Sequence, residues 1–94
     1  MSNKCCRVRI EGRVQGVWFR GWTRQQAEAL GIDGWVRNNA DGSVEAVFSG
    51  RADDVDDMLK LCWQGPPLAR VDTVTESAEP SVPQKGFHQT ASTD

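Results

Sequence analysis

Ninety-four residues, 38% hydrophobic and 26% charged, fit one soluble domain spanning 1–94, near the small end of chains that fold unaided. No apolar run approaches membrane-spanning length, and the Met1-Ser2-Asn3-Lys4-Cys5-Cys6-Arg7 start lacks the apolar core of a signal peptide, so the expected location is the cytoplasm, away from membranes. A net charge of −2 argues against a nucleic-acid binder, which carries a basic surplus, so any bound anion must be held by a local site.

Cys6, Val8 and Ile10 alternate with Arg7, Arg9 and Glu11, the period-2 pattern of a half-buried strand, which Gly12 is expected to end. Gly12 to Val17 reads as a loop with two glycines, Gly12 and Gly16, able to take unusual backbone angles. Phe19, Trp22, Gln26, Ala27 and Leu30 recur at helical spacing, and Gly31 fits a C-terminal cap. Ile32 to Asn38 returns to strand composition. Asn39-Ala40-Asp41-Gly42 is a strong turn signal, and Val44, Ala46 and Phe48 then alternate with Ser43, Glu45 and Val47 to complete a hairpin.

Ala52, Val55, Met58, Leu59 and Cys62 form the buried stripe of a second helix. Asp53, Asp54, Asp56 and Asp57 crowd its first turns, where negative charge complements the helix dipole, and Gly65-Pro66-Pro67 stops it. Ala69 to Ser77 reads as a strand of imperfect alternation, Ala78 to Gly86 as a loop, Phe87 to Thr90 as a short optional strand, and Ala91 to Asp94 as a frayed tail. The ordered core is expected over about 5–90. The order βαββαβ, with a possible short fifth strand, predicts an α+β fold. It is the ferredoxin-like split β-α-β sandwich, one mostly antiparallel sheet with two helices on one face.

Three cysteines, an odd number without a Cys-x-x-Cys pair, and a single histidine, His88, offer no metal cluster; the cysteines read as plain thiols, with a pairing of Cys62 with Cys5 or Cys6 as the alternative. No cofactor is expected. The four tryptophans, Trp18, Trp22, Trp35 and Trp63, read as core or rim packing rather than a base-stacking platform.

Topology brings two distant segments together. A strand, a crossover helix and the next strand form a unit whose strands run parallel, with C-terminal ends on one edge of the sheet. The loop ending at Arg20 and the strand ending at Asn38 should therefore meet. A glycine-containing loop running into a helix N-terminus aims backbone N–H groups at an anion, and Arg20 adds a planar fork for two phosphate oxygens. Asn38 offers an amide that both donates to and accepts from a water. Asn39 fits the turn better than Asn38, although the sequence alone leaves a swapped role open.

Gly12-Arg13-Val14-Gln15-Gly16-Val17-Trp18-Phe19-Arg20 resembles the Gly-x-Val-Gln-Gly-Val-x-Phe-Arg signature of the acylphosphatase family, and Gly34-Trp35-Val36-Arg37-Asn38 resembles its second signature. Asp41 to Glu45 and Gly65-Pro66-Pro67 also sit where bacterial-type members carry similar runs, and the likeness extends from about Cys6 to Phe87. The resemblance implies hydrolysis of acyl phosphates without a metal. It implies that Arg20 binds the phosphoryl group, that Asn38 positions the attacking water, and that Arg13, Val14, Gln15, Gly16, Val17, Trp18 and Phe19 supply the backbone cradle. The expected partners are a small acyl phosphate and inorganic phosphate, with no nucleic acid and a monomeric state. After Phe87 the run His88-Gln89-Thr90 departs from the aliphatic residue usual in that family, which bears on how the last strand pairs. Two other classes compete: a non-catalytic anion-binding module on the same fold, and single-stranded RNA binding on the open sheet face. Asn38 counts against the first; the acidic balance and the lack of tyrosine count against the second.

Overall fold

The computed structural model describes residues 2–80 and 83–91. Its elements are β1 (Asn3–Arg13), α1 (Phe19–Leu30), β2 (Asp33–Asn38), β3 (Val44–Arg51), α2 (Ala52–Gln64), β4 (Arg70–Ala78) and β5 (Phe87–Gln89). The strands form one sheet in the order β4-β1-β3-β2-β5. β3 is antiparallel to both β1 and β2, so those two strands run parallel on either side of it, as the crossover rule requires. β5 adds to the far edge of β2, in parallel, and the sheet is otherwise antiparallel. This is the ferredoxin-like arrangement the element order predicts.

Even-numbered residues of β1 and β3 face the helices, and α1 and α2 close over them in one buried cluster. Val8, Ile10, Val36, Val44, Ala46 and Phe48 from the sheet meet Phe19 and Ala27 of α1 and Val55, Met58, Leu59 and Cys62 of α2. A fully buried side chain of the Val, Ile, Phe or Met type contributes roughly 1.5–3 kcal/mol relative to exposure, so this cluster is what seats both helices. Phe87 stacks on Phe48 at 5.7 Å between ring centres and anchors the short β5 strand. Gly31 takes the left-handed conformation expected of a helix cap. Gly34 has a different reason to be glycine. Its φ is +145°, and a Cβ there would lie 1.8 Å from the Val47 carbonyl oxygen, so β2 and β3 approach closely only without a side chain.

Several boundaries differ from the sequence expectation. β1 does not end at Gly12: it continues to Arg13, with a bulge between Glu11 and Gly12 where the register against β4 shifts. The first strand also starts earlier, at Asn3, and β2 begins at Asp33 rather than Ile32. β4 runs Arg70–Ala78, and as an edge strand it is exposed along most of its length, which explains its weak alternation. β5 ends at Gln89, although the Thr90 N–H still donates to the Val36 carbonyl at 2.9 Å. The expected frayed tail lies outside the described residues from Ser92 onward, as do Ser81 and Val82 of the expected loop.

The face turned away from the helices is organised by charge. Glu45 accepts hydrogen bonds from Arg7 and Arg37, Arg7 also reaches Glu79, and both guanidinium groups lie over the Trp35 ring, at 5.5 and 4.8 Å from its centre. Partial burial pushes the Glu45 carboxyl upward, but the hydrogen bonds from Arg7, Arg37 and Asn39 outweigh it and hold the group below its ordinary value. Val47, expected on the solvated face, is only 2% exposed on this same side. No disulfide joins Cys5, Cys6 or Cys62; burial raises the Cys6 thiol to about 11 and pushes Cys62 up as well.

Candidate active site

The loop between β1 and α1 is pinned at two points. Val14 and Val17 are both buried in the core, at 1% and 5% exposure, and Gly16 lies between them. Gly16 has φ +74° with nothing near a built Cβ, so the loop needs its conformation and not its small size. The Gln15 side-chain amide donates to the carbonyls of Asn39 and Ser43, at 2.8 and 2.9 Å. That pair of bonds ties the loop to the hairpin turn after β2.

The turn itself is built by Asn39 and Asp41. The Asn39 N–H donates to the Ser43 carbonyl, the Gly42 N–H returns to the Asn39 carbonyl, and the Asn39 side-chain amide donates to the Ser43 hydroxyl at 3.0 Å. Asp41 accepts from the Ser43 hydroxyl and backbone N–H and pairs with Arg9; these bonds, the Ser43 hydroxyl first, hold its carboxyl down at about 2. Asn39 is therefore the turn residue. Asn38, the last residue of β2, shares the helix-facing side of its strand with Gly34 and Val36 by two-residue alternation, and no hydrogen bond holds its amide among the described residues.

Helix α1 begins without a conventional cap. Its N-cap position is Trp18, in the left-handed conformation with φ 67°, and neither a side-chain cap nor an acidic first-turn residue is present. The Trp22 N–H already bonds the Trp18 carbonyl at 3.0 Å, which leaves the N–H groups of Trp18, Phe19, Arg20 and Gly21 as the helix's unsatisfied donors. Phe19 is buried and packs edge-on against Trp22 at 5.3 Å, fixing the first turn to the core. Arg20, half-buried beside it, meets no carboxylate among the described residues.

These parts surround one cavity of about 120 Å³, lined by Val14, Gln15, Gly16, Trp18, Phe19, Arg20, Gly21, Asn38 and Gln89. Arg20 and Asn38, 18 positions apart in sequence, thus border the same cavity, as the parallel β1–β2 geometry leads one to expect. No carboxylate lines the cavity, so its field is set by a guanidinium and a helix N-terminus, both favourable to an anion. Of the loop residues expected to contribute, Arg13 and Val17 do not line it: Arg13 is the exposed last residue of β1, paired with Arg70, and Val17 points its side chain into the core. Gly21 and Gln89 line it without having been singled out in the sequence. Gln89 was legible only through β5, where it lies two residues beyond buried Phe87 and so on the same strand face. A larger hollow of about 350 Å³, lined by Arg7, Trp35, Val47 and His88 among others, contains neither Arg20 nor Asn38. Among the described residues no group of three His, Cys, Asp or Glu side chains is placed to hold a metal ion, and no helix is long and apolar enough to cross a membrane.

The left-handed backbone at Trp18 is unfavourable for a bulky residue by roughly 1–2 kcal/mol. Trp18→Gly is therefore expected to be about 1 kcal/mol more stable than Trp18→Ala, with a melting temperature about 4–8 °C higher. Both variants remove the indole, so equal melting temperatures would contradict a positive φ here. Of the four tryptophans expected in the core or at its rim, Trp22 packs partly against the core and Trp35 lies under Arg7 and Arg37, while Trp18 and Trp63 are 60% and 54% exposed.

A family model described as Acylphosphatase matches residues 6–89. An acylphosphatase of Rhizorhabdus wittichii is 54% identical over 83 residues, covering 88% of this chain and 84% of the relative. An acylphosphatase of Rhodospirillum rubrum is 54% identical over 82 residues, covering 87% and 90%. Among solved structures, an acylphosphatase from Coxiella burnetii is similar with a TM-score of 0.89 at 35% identity, over 94% of this chain and 93% of that one. With the fold and nearly the whole length matched, the chain belongs to the acylphosphatase family, enzymes that hydrolyse acyl phosphates.

Proposed function

We propose that the cavity at the start of α1 hydrolyses acyl phosphates to a carboxylate and inorganic phosphate without a metal, with Arg20 and backbone amides gripping the phosphoryl group and Asn38 orienting the water. The observation that carries this reading is the meeting of an uncapped helix N-terminus, Arg20 and the Asn38 amide around one small cavity free of carboxylates.

An acyl phosphate is a mixed anhydride with a good leaving group, so protonating the departing oxygen is not essential. The water oxygen attacks phosphorus as the bond between phosphorus and the acyl oxygen breaks, and the electron pair leaves on the carboxylate. The water's proton passes to the phosphate product or solvent. Most of the catalysis then lies in alignment and charge stabilisation. The Arg20 fork binds two equatorial oxygens, and N–H groups of the loop between Val14 and Phe19 surround the third. The Asn38 amide oxygen accepts a hydrogen bond from the water, and a neutral amide takes up no proton, which suits an orienting group better than a base.

Acetyl phosphate, carbamoyl phosphate and 1,3-bisphosphoglycerate all present the group such a site recognises. Arg7 and Arg37 already lie over Trp35 on the open sheet face, which disfavours a nucleobase stacking there and favours a small-molecule substrate; the enzyme is read as a cytoplasmic monomer.

The test is hydrolysis of benzoyl phosphate in ¹⁸O-water with a chelator present. The expected result is turnover undiminished by the chelator, with the label in inorganic phosphate. Label in benzoate would mean attack at the carbonyl carbon and would remove Asn38's assigned role.

A further inference from the structure

The cavity is too small to enclose a whole substrate. At about 120 Å³ it lies well below the roughly 300–1,000 Å³ of pockets that engulf a drug-sized ligand. Once the phosphoryl group occupies it, the acyl group must project past the lining residues toward solvent. Trp18 stands there: it lines the cavity, yet 60% of it is exposed.

The indole is also held in place. A Cβ built on Gly21 would lie 2.2 Å from the Trp18 Nε1 atom, so the ring lies directly over the glycine in the first turn of α1. The absence of a side chain at position 21 is what lets it lie there. An aromatic residue in a disfavoured backbone conformation, set over a glycine beside a phosphoryl-sized cavity, has a fixed apolar face to offer.

We propose that Trp18 is the acyl-side wall of the site and makes the enzyme selective for acyl phosphates with a flat, apolar acyl group, such as an aryl ring, over acetyl phosphate. This rests on the phosphoryl site assigned above, since it is Arg20 and the helix N-terminus that fix where the acyl group emerges. The ring of an aroyl group would pack on the indole, while an acetyl methyl reaches little of it. Phe19, the other aromatic residue lining the cavity, is 2% exposed and packed into the core, so Trp18 is the exposed aromatic face at the mouth.

The experiment compares kcat/KM for benzoyl and acetyl phosphate in the wild type and in Trp18→Ala, Trp18→Phe, Gly21→Ala and Arg20→Ala. An aromatic pair contributes an amount equivalent to about 2- to 10-fold in binding, so the benzoyl-to-acetyl ratio is expected to fall by about that factor in Trp18→Ala. Trp18→Phe should restore most of the ratio. Gly21→Ala should lower it with Trp18 still present, because the new methyl displaces the ring; alanine also favours the helix, so this variant is expected to fold. A ratio unchanged in Trp18→Ala and Gly21→Ala, or both substrates losing equally, would overturn the proposal. Failure of the phosphoryl site itself shows differently: Arg20→Ala would then process both substrates as well as the wild type.

Discussion

Arg20→Ala is expected to lower turnover of an acyl phosphate by roughly 100- to 1,000-fold or more, the loss that follows removal of one preorganised electrostatic donor. The geometry explains why the effect should be large. Arg20 is a charged side chain in a cavity with no acidic residue, and among the described residues no carboxylate competes for its guanidinium. Its charge is therefore available to the developing phosphoryl oxygens. Because it is only half-buried and makes no ion pair among the described residues, its loss should leave the fold intact. Arg20→Lys should recover little, since a point charge cannot grip two oxygens at once. Rates measured on the variant with an unchanged melting temperature would separate chemistry from stability.

Asn38→Ala is expected to reduce kcat by about 100-fold while binding of the phosphoryl group suffers much less. A misdirected water costs alignment, and alignment is most of what this site supplies. Asn39→Ala should act through a different route. Asn39 holds the hairpin turn through Ser43, so its loss should lower stability before it lowers kcat. A variant of Asn38 that weakened phosphate binding as much as turnover would make it a binding residue instead.

Much of this arrangement was legible in the residues. The alternation in Cys6 to Glu11 and Val44 to Phe48, and the stripe from Val55 to Cys62, set by themselves the strands and helix that form the core. The pairing of Arg20 with Asn38 followed from the crossover rule, because that rule fixes strand ends without any knowledge of side chains. What stayed hidden depended on partners. The bulge at Glu11 and Gly12 is a register event between β1 and β4, and no local pattern in β1 announces it. Val47 looked solvated by alternation but is buried on the helix-free face, because the charged and aromatic groups of Arg7 and Trp35 cover that side. Gln89 was missed because its face in the three-residue β5 follows only from Phe87, two residues before it, whose burial the fold reveals. Trp18 was placed in the backbone cradle, but its side chain was read as core or rim packing, because nothing local marks a left-handed N-cap position.

The division of labour between Arg20 and Asn38 is the central claim, and competition by inorganic phosphate reads it most directly. The measurement is the inhibition constant for phosphate against benzoyl phosphate hydrolysis in the wild type, Arg20→Ala and Asn38→Ala, using residual turnover of each variant. The expected result is inhibition weakened at least about tenfold in Arg20→Ala, where a charge-assisted fork is lost, and nearly unchanged in Asn38→Ala. Phosphate competing as well in Arg20→Ala as in the wild type would contradict the account.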